Sequence, residues 1–301
     1  ISLTQNKDAD AFLSVNSIQN AINSIQNTGT GSNTLAVGAG VWAEDVTADV
    51  ANLTLAGANA GIAGAGARGA ETEITPTTTG IKVAAHDVVI DGVKVSGGTQ
   101  GMRLNGSDRT TLVNNIVSGS SAEGIALTAG SDQALIANNL VQNTGKSAIS
   151  VFASDASRIL NNVIDTVNGD GVLLSFVTNG GGQRTEIKGN SISNLTSPEL
   201  AFGSGVHAFG SHHVDIGGMG PSDMNVIWNT GWDGVSFYKG SDVNIVGNDI
   251  QDVLRSGVFV DGVNGLGVSN NAIRNAQTYF GIDVVGATNS VLSTNYVQGT
   301  H

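Results

Sequence analysis

GMRLNGSDRTTLVNNIVSGSSAEGIALTAGSDQALIANNLVQNTGKSAISV, residues 101–151, contains the same short phrase three times: Gly101-Met102-Arg103-Leu104, Gly124-Ile125-Ala126-Leu127 and Ala148-Ile149-Ser150-Val151. Each is a small residue followed by two apolar residues one position apart, and the phrase returns every 21 to 24 residues. Extended in both directions, the apolar pairs are Ile81/Val83, Met102/Leu104, Ile125/Leu127, Ile149/Val151, Val172/Leu174, Val206/Ala208, Val235/Phe237, Val258/Val260 and Ile282/Val284. Alternation with period two over so few residues means a short strand with one buried face. A fixed period brings each strand back above the last, so the strands stack in parallel as a solenoid. A second marker keeps the same phase: Asn115, Asn139, Asn162, Asn190, Asn229, Asn248, Asn271 and Asn295 each precede an apolar or alternating segment. Asn tolerates tight corners, and stacked Asn side chains can hydrogen-bond from coil to coil, which predicts an interior asparagine ladder.

The expected fold is all-β: a right-handed parallel β-helix of about eleven coils, forming a single domain over 1–301. Ile18, Ala21, Ile22 and Ile25 stand at helical spacing in NSIQNAINSIQ, predicting an amphipathic capping helix over 16–27 that covers the open end of the solenoid. At the other end the coil pattern runs to Tyr296-Val297 without a comparable cap, so the domain is expected to be excised from a longer polypeptide carrying further domains.

Composition agrees. Gly makes up 42 of 301 residues, roughly twice ordinary usage, with only 3 Pro. The formal charge of −12 argues against a broad nucleic-acid or anionic-membrane surface. No apolar run approaches the roughly 18 residues of a membrane helix, so membrane insertion is not expected. The absence of Cys excludes disulfides and thiolate metal sites. The glycine-rich AGANAGIAGAGARG segment lacks the strand-Gly-helix context and following Lys-Ser/Thr of a phosphate loop.

The helix SIQNAINSI, the segments LAVGAGVWAEDV and LTLAGANAG, and the coils with their Gly-apolar and Asn markers together resemble the pectate-lyase-like β-helix superfamily over nearly the whole chain. That resemblance implies the fold strongly and an activity weakly, since members include lyases, polygalacturonases, epimerases, tailspikes and non-catalytic adhesin passengers. The chain lacks the third aspartate and basic motif of polygalacturonases. It also lacks the Asp-Pro-His-Glu motif of alginate epimerases and the Arg-x-x-Pro-x-x-Arg pattern of pectate lyases.

Candidate site residues follow from the strand alternation. Between and after the inward pair, two outward columns run along the solenoid: Lys82, Arg103, Ala126, Ser150, Leu173, His207, Ser236, Phe259, Asp283, and Ala84, Asn105, Thr128, Phe152, Ser175, Phe209, Tyr238, Asp261, Val285. The superfamily resemblance makes this the expected sugar-binding face. The coils beginning at 172 and 206 are the longest, so protruding loops are expected at 178–184, 194–205 and 210–225, walling the later columns. Within that region a lyase or epimerase would use His207 as base and Tyr238 as acid, with Lys239 or Arg255 neutralising a uronate carboxylate. Asp261 and Asp283, one coil and two positions apart, would lie about 8 Å from each other, the separation of an inverting hydrolase pair. Ser236, Phe209 and Phe259 would line the groove, the rings by stacking on sugars. His207 with His212 and His213 could suggest a metal site, but Asp215 is the only adjoining carboxylate with recognisable ligand spacing, so no metal is expected. Asp87, Asp108, Asp132, Asp155 and Asp242 recur at one corner and read as turn caps, with a calcium ladder the minor reading and no other cofactor expected. The favoured function is an extracellular or cell-surface, adhesin-like bacterial module that presents a face to a polysaccharide or cell-surface glycan. The alternative is a secreted polysaccharide-active enzyme.

Overall fold

The computed structural model describes residues 2–3, 17–25, 32–178, 182–196 and 203–299. It is all-β apart from one short helix, and its strands pair in parallel along a right-handed β-helix of about eleven turns. Each coil has three faces. In one coil the first is Ile125–Thr128, the second Leu135–Ala137 and the third Leu140–Thr144. The register is the one the repeat demands: Met102 pairs with Ile125, Ile125 with Ile149, and Ile149 with Val172. The apolar pairs fill a continuous core in which Ile125, Leu127, Val172, Leu174, Val258 and Val260 are all buried. The glycine before each pair sits where the third face closes on the first. A Cβ on Gly124 would come within 2.5 Å of Val141 and 2.7 Å of the Ala148 carbonyl.

The helix Ile18–Ser24 buries Ile18, Ala21 and Ile22 and packs on the strands Asn33–Val37 and Val46–Ala48. Residues 16, 26 and 27 of the expected helix lie outside the described residues. Ser17 caps it, and the Glu44 carboxylate accepts from the Ile18 and Gln19 N–H groups at its positive end.

The asparagine ladder is present with one member corrected. Asn115, Asn139, Asn162, Asn190, Asn225, Asn248, Asn271 and Asn295 stack at the corner between the second and third faces. Each Asn Nδ2–H also donates to a second-face carbonyl of the coil before, as Asn162 does to Ile136 at 2.9 Å. Asn225 takes the place expected of Asn229, because the surplus residues of that coil lie before the ladder position. Asn229 is exposed and donates to Asn194 Oδ1. Since Asn162 is 1 % exposed, Asn162→Ala should leave buried carbonyl and N–H groups unpaired and cost about 2 kcal/mol. Lys146→Ala, at a side chain that is 67 % exposed, should leave the denaturant midpoint nearly unchanged. Equal midpoints for the two variants would refute a structural ladder.

One further expected feature needs correction. Residues 210–217 do not form a protruding loop: Val206–Gly217 is one twelve-residue strand that bends from the first face into the second at Gly210, where φ is +57. Val235–Val246 and Val258–Ser269 do the same, and Val206–Gly217 pairs with the first of these along most of its length. The surplus of that coil falls after Gly217, at the asparagine corner and away from the first face. Of the other two expected loops, Thr178 and 182–184 follow the first face and 194–196 and 203–205 precede it, while 179–181 and 197–202 lie outside the described residues.

Three of the five corner aspartates, Asp108, Asp132 and Asp155, are turn caps as expected, whereas the Asp87 carboxylate pairs with Arg109 and that of Asp242 with Arg184 and His213. The Asp132 N–H donates to Asp108, the Asp155 N–H to Asp132 and the Thr178 N–H to Asp155. The glycine-rich segment is a clamp across neighbouring coils: the buried Arg68 donates to Glu71 and to the carbonyls of Ile62, Gly92 and Asn114, and the Gly64 N–H donates to the Asn138 carbonyl.

Candidate functional site

The first face carries both predicted columns in register. His207 is followed by Ser236, Phe259 and Asp283, and Phe209 by Tyr238, Asp261 and Val285. Among the earlier members only Lys82 and Arg103 are charged, whereas the coils from 172 to 282 gather several ionisable groups.

His207, with a side chain 14 % exposed, turns Nδ1 toward the Asp170 carboxylate at 3.3 Å. Asp170 is itself buried, because its other oxygen accepts the N–H groups of Gly203 and Ser204 from the following coil. On the other side, the His207 ring stands 5.6 Å from the Tyr238 ring, and Tyr238 stands 5.2 Å from Phe259. Arg255 reaches the same place from the corner before the first face. Its guanidinium lies 4.3 Å from the Trp232 ring centre, 4.6 Å from that of Tyr279 and 5.5 Å from that of Phe259. These are cation–π distances, and they hold a long, flexible side chain in one place.

Beneath Arg255 lies Asp233, wholly buried. Its Oδ1 accepts the Ser256 N–H, while Oδ2 has no hydrogen-bond partner among the described residues and sits 3.6 Å from Arg255 Nη1. Burial pushes the Asp233 carboxyl up to about 6, against the opposing pull of the Ser256 N–H and the charges of Arg255 and His207. Burial likewise raises the Tyr238 phenol, with the Asp233 charge adding to the rise and Arg255 opposing it. A carboxyl and a phenol both raised by burial, set beside an imidazole and an arginine, form an arrangement able to move protons.

Of the predicted residues, the fold brings together His207, Tyr238, Phe259 and Arg255. Ser236 is not a groove residue: it is 1 % exposed, its hydroxyl 3.0 Å from that of Ser204, because the corner of the preceding coil covers it. Lys239 stands exposed at the corner after the first face with φ at +53. Phe209 is 39 % exposed, beside Tyr238 in register. Asp261 and Asp283 lie on adjacent coils as expected, and no hydrogen bond or ion pair to a described residue orients either one. Asp170, Asp233, Trp232 and Tyr279 were missed. Their signal lies one or two residues before the glycine of each phrase, where Ser147, Asp170, Ser204, Asp233 and Ser256 form an inward polar column and Trp232, Arg255 and Tyr279 form the next.

This geometry defines the class: a pectate-lyase-like parallel β-helix with an ionisable cluster on the first face of its later coils. Residues 23–218, nearly two-thirds of the chain, match the family described as "Periplasmic copper-binding protein (NosD)", and the chain belongs to that family. No curated protein matches it in sequence. Among solved structures it is similar to the Azotobacter vinelandii mannuronan C-5 epimerase AlgE6 A-module, with TM-score 0.56 and 14 % identity over 94 % of this chain and 93 % of that one. It is also similar to the periplasmic alginate epimerase AlgG, with TM-score 0.56 and 12 % identity over 86 % and 73 %. The catalytic unit of the GH87 alpha-1,3-glucanase of Streptomyces thermodiastaticus gives TM-score 0.52 and 14 % identity over 98 % and 70 %. At these identities the likeness shows the fold.

The family description names copper, and the donor set tests that. Copper favours converging imidazole, thiolate or thioether groups. The chain has no Cys, and among the described residues no three His, Asp or Glu side chains converge. His212 turns Nδ1 to Ser241 and His213 to Asp242, while Met102 is buried in the core and Met219 is 72 % exposed. The described residues do not fit a copper centre, and no chemistry below passes through a metal. Among them, too, no helix is long and apolar enough to cross a membrane.

Proposed function

We propose that this chain is a periplasmic or secreted polysaccharide-active β-helix whose first face binds a uronate polymer and whose later coils abstract a proton from it, as in a lyase or epimerase. The observation that supports this is the meeting of His207, Tyr238 and Arg255 over the buried Asp170 and Asp233. With Nδ1 directed at Asp170, the His207 imidazole acts through Nε2 as the base. Arg255 pairs with the sugar carboxylate and makes the adjacent C5 proton more acidic. His207 takes that proton, breaking the C5–H bond. In a lyase the electron pair forms a C4–C5 double bond as the C4–O bond breaks, and Tyr238 gives its proton to the leaving oxygen. In an epimerase Tyr238 returns a proton to C5 from the opposite side. The periplasmic and polysaccharide-acting relatives agree with this reading. The missing Asp-Pro-His-Glu motif means that the work would fall to residues of this chain's own arrangement.

The second reading is a binding module without turnover. The exposed Phe152, Phe176 and Phe209 favour it, since they offer ring surface on the coils that precede the ionisable group. Incubating the protein with polymannuronate and polygalacturonate in deuterated water separates the two. Deuterium at C5, or an unsaturated product, is expected of the enzyme, and Arg255→Gln should raise KM about tenfold by removing the carboxylate's partner. Binding without deuterium or product would leave the module reading. New reducing ends without deuterium at C5 would instead point to hydrolysis by Asp261 and Asp283.

A further inference from the structure

Five successive coils each place one aromatic ring on or beside the first face: Phe152, Phe176, Phe209, Tyr238 and Phe259. The last two belong to the ionisable group. The first three form a ridge leading up to it, with Phe152–Phe176 centres 6.0 Å apart and Phe176–Phe209 centres 5.3 Å apart, each pair nearly perpendicular. Phe152 and Phe176 are 49 % exposed and Phe209 is 39 % exposed.

Phe176 is the informative member. It occupies the corner position that requires a left-handed backbone, with φ at +54, where other coils have Gly106, Ala129, Ala153, Gly210, Lys239, Gly262 and Gly286. A large ring there adds backbone strain and returns nothing to the core, since half of it faces solvent. The next coil makes room for it: a Cβ on Gly210 would stand 3.0 Å from the Phe176 ring, so the ring lies against bare backbone. Strain kept at an exposed apolar side chain points to function.

We infer that Phe152, Phe176 and Phe209 are distal subsites that stack on the pyranose rings of the polymer, so that the chain lies along the solenoid axis with one sugar to a coil. This rests on the polysaccharide reading above and adds the direction and extent of the bound chain. Rings spaced 5.3 to 6.0 Å apart match a saccharide whose units advance by about one coil. The ridge also runs toward Arg255, where a sugar carboxylate would be met. A second copy of the protein fits less well. Three half-exposed rings offer roughly 300 Å² of apolar surface, well short of the 800 Å² or so per partner of a stable interface.

Mannuronate oligomers from disaccharide to octasaccharide, titrated calorimetrically into the wild type, Phe152→Ser and Phe176→Gly, test this. The glycine keeps the left-handed corner, and matched melting curves certify both folds. Affinity in the wild type should climb with each added sugar until the chain spans the ridge, and each variant should lose about fivefold in octasaccharide affinity and flatten that climb. A length dependence unchanged in both variants, or absent in the wild type, would overturn the inference. So would concentration-dependent dimerisation that Phe176→Gly abolishes, which would make the ridge a contact between copies. Deuterium exchange on the same samples tells the two readings apart. Exchange with an unaltered length dependence leaves the enzyme reading standing and removes the ridge, and a lost length dependence without exchange does the reverse.

Discussion

His207→Gln is expected to reduce C5 exchange on a uronate polymer by roughly a hundredfold to ten-thousandfold, the usual contribution of a positioned general base. The expectation rests on placement as much as on residue type. The imidazole is mostly buried, faces the buried Asp170 on one side and lies 5.6 Å from the Tyr238 ring on the other. Glutamine preserves much of the volume and can still hydrogen-bond to Asp170, so the loss should fall on kcat with little change in KM or in melting temperature. Exchange rates measured by nuclear magnetic resonance at saturating polymer would read this directly. A variant within about threefold of the wild type would remove His207 from the chemistry and return the face to simple binding.

The second large effect concerns stability. Asp233 is wholly buried, and its carboxyl is raised from 3.8 to about 6 chiefly by that burial. A carboxyl raised on folding holds its proton more tightly in the folded state than in the unfolded one. Between 3.8 and about 6 the folded protein therefore binds more protons, and this group's contribution to stability falls as pH rises. Below that window it imposes no penalty, and above it the full penalty of roughly 3 kcal/mol applies. Asp233→Asn keeps an oxygen to accept the Ser256 N–H and removes the buried charge. The variant should be more stable than the wild type by up to about 3 kcal/mol at neutral pH, with the difference shrinking toward zero as pH falls through the window. The lowered carboxyls elsewhere, such as Asp87 beside Arg109 and Asp242 between His213 and Arg184, act in the opposite sense in both proteins and cancel in the comparison. Urea midpoints across that range would check it. A variant less stable than the wild type at neutral pH would mean that the Arg255–Asp233 contact outweighs desolvation. Substrate turnover in the same variant should fall, because Asp233 underlies Arg255 and Tyr238.

The solenoid, its strand register and the two outward columns were determined by local sequence, because every coil repeats one alternation and each strand can bury its apolar pair only above the last. The capping helix and the corner aspartates followed from equally local rules, at Ile18, Ala21 and Ile22 and at Asp108, Asp132 and Asp155. What failed was phase within an irregular coil. Asn229 stood where the ladder seemed to continue, yet Asn225 fills the position, since only the path of the chain after Gly217 shows which residues are surplus. For the same reason 210–217 read as a loop, although polar side chains facing outward from a strand are as soluble as a loop. The site divides along the same line. His207, Tyr238 and Phe259 were visible as column members, whereas burial of Asp233 and Asp170, the aromatic sandwich around Arg255 and the covering of Ser236 depend on how three corners from successive coils meet. Alternation reports which way a strand residue points, and desolvation depends on what lies above it in other coils, which only the tertiary structure decides.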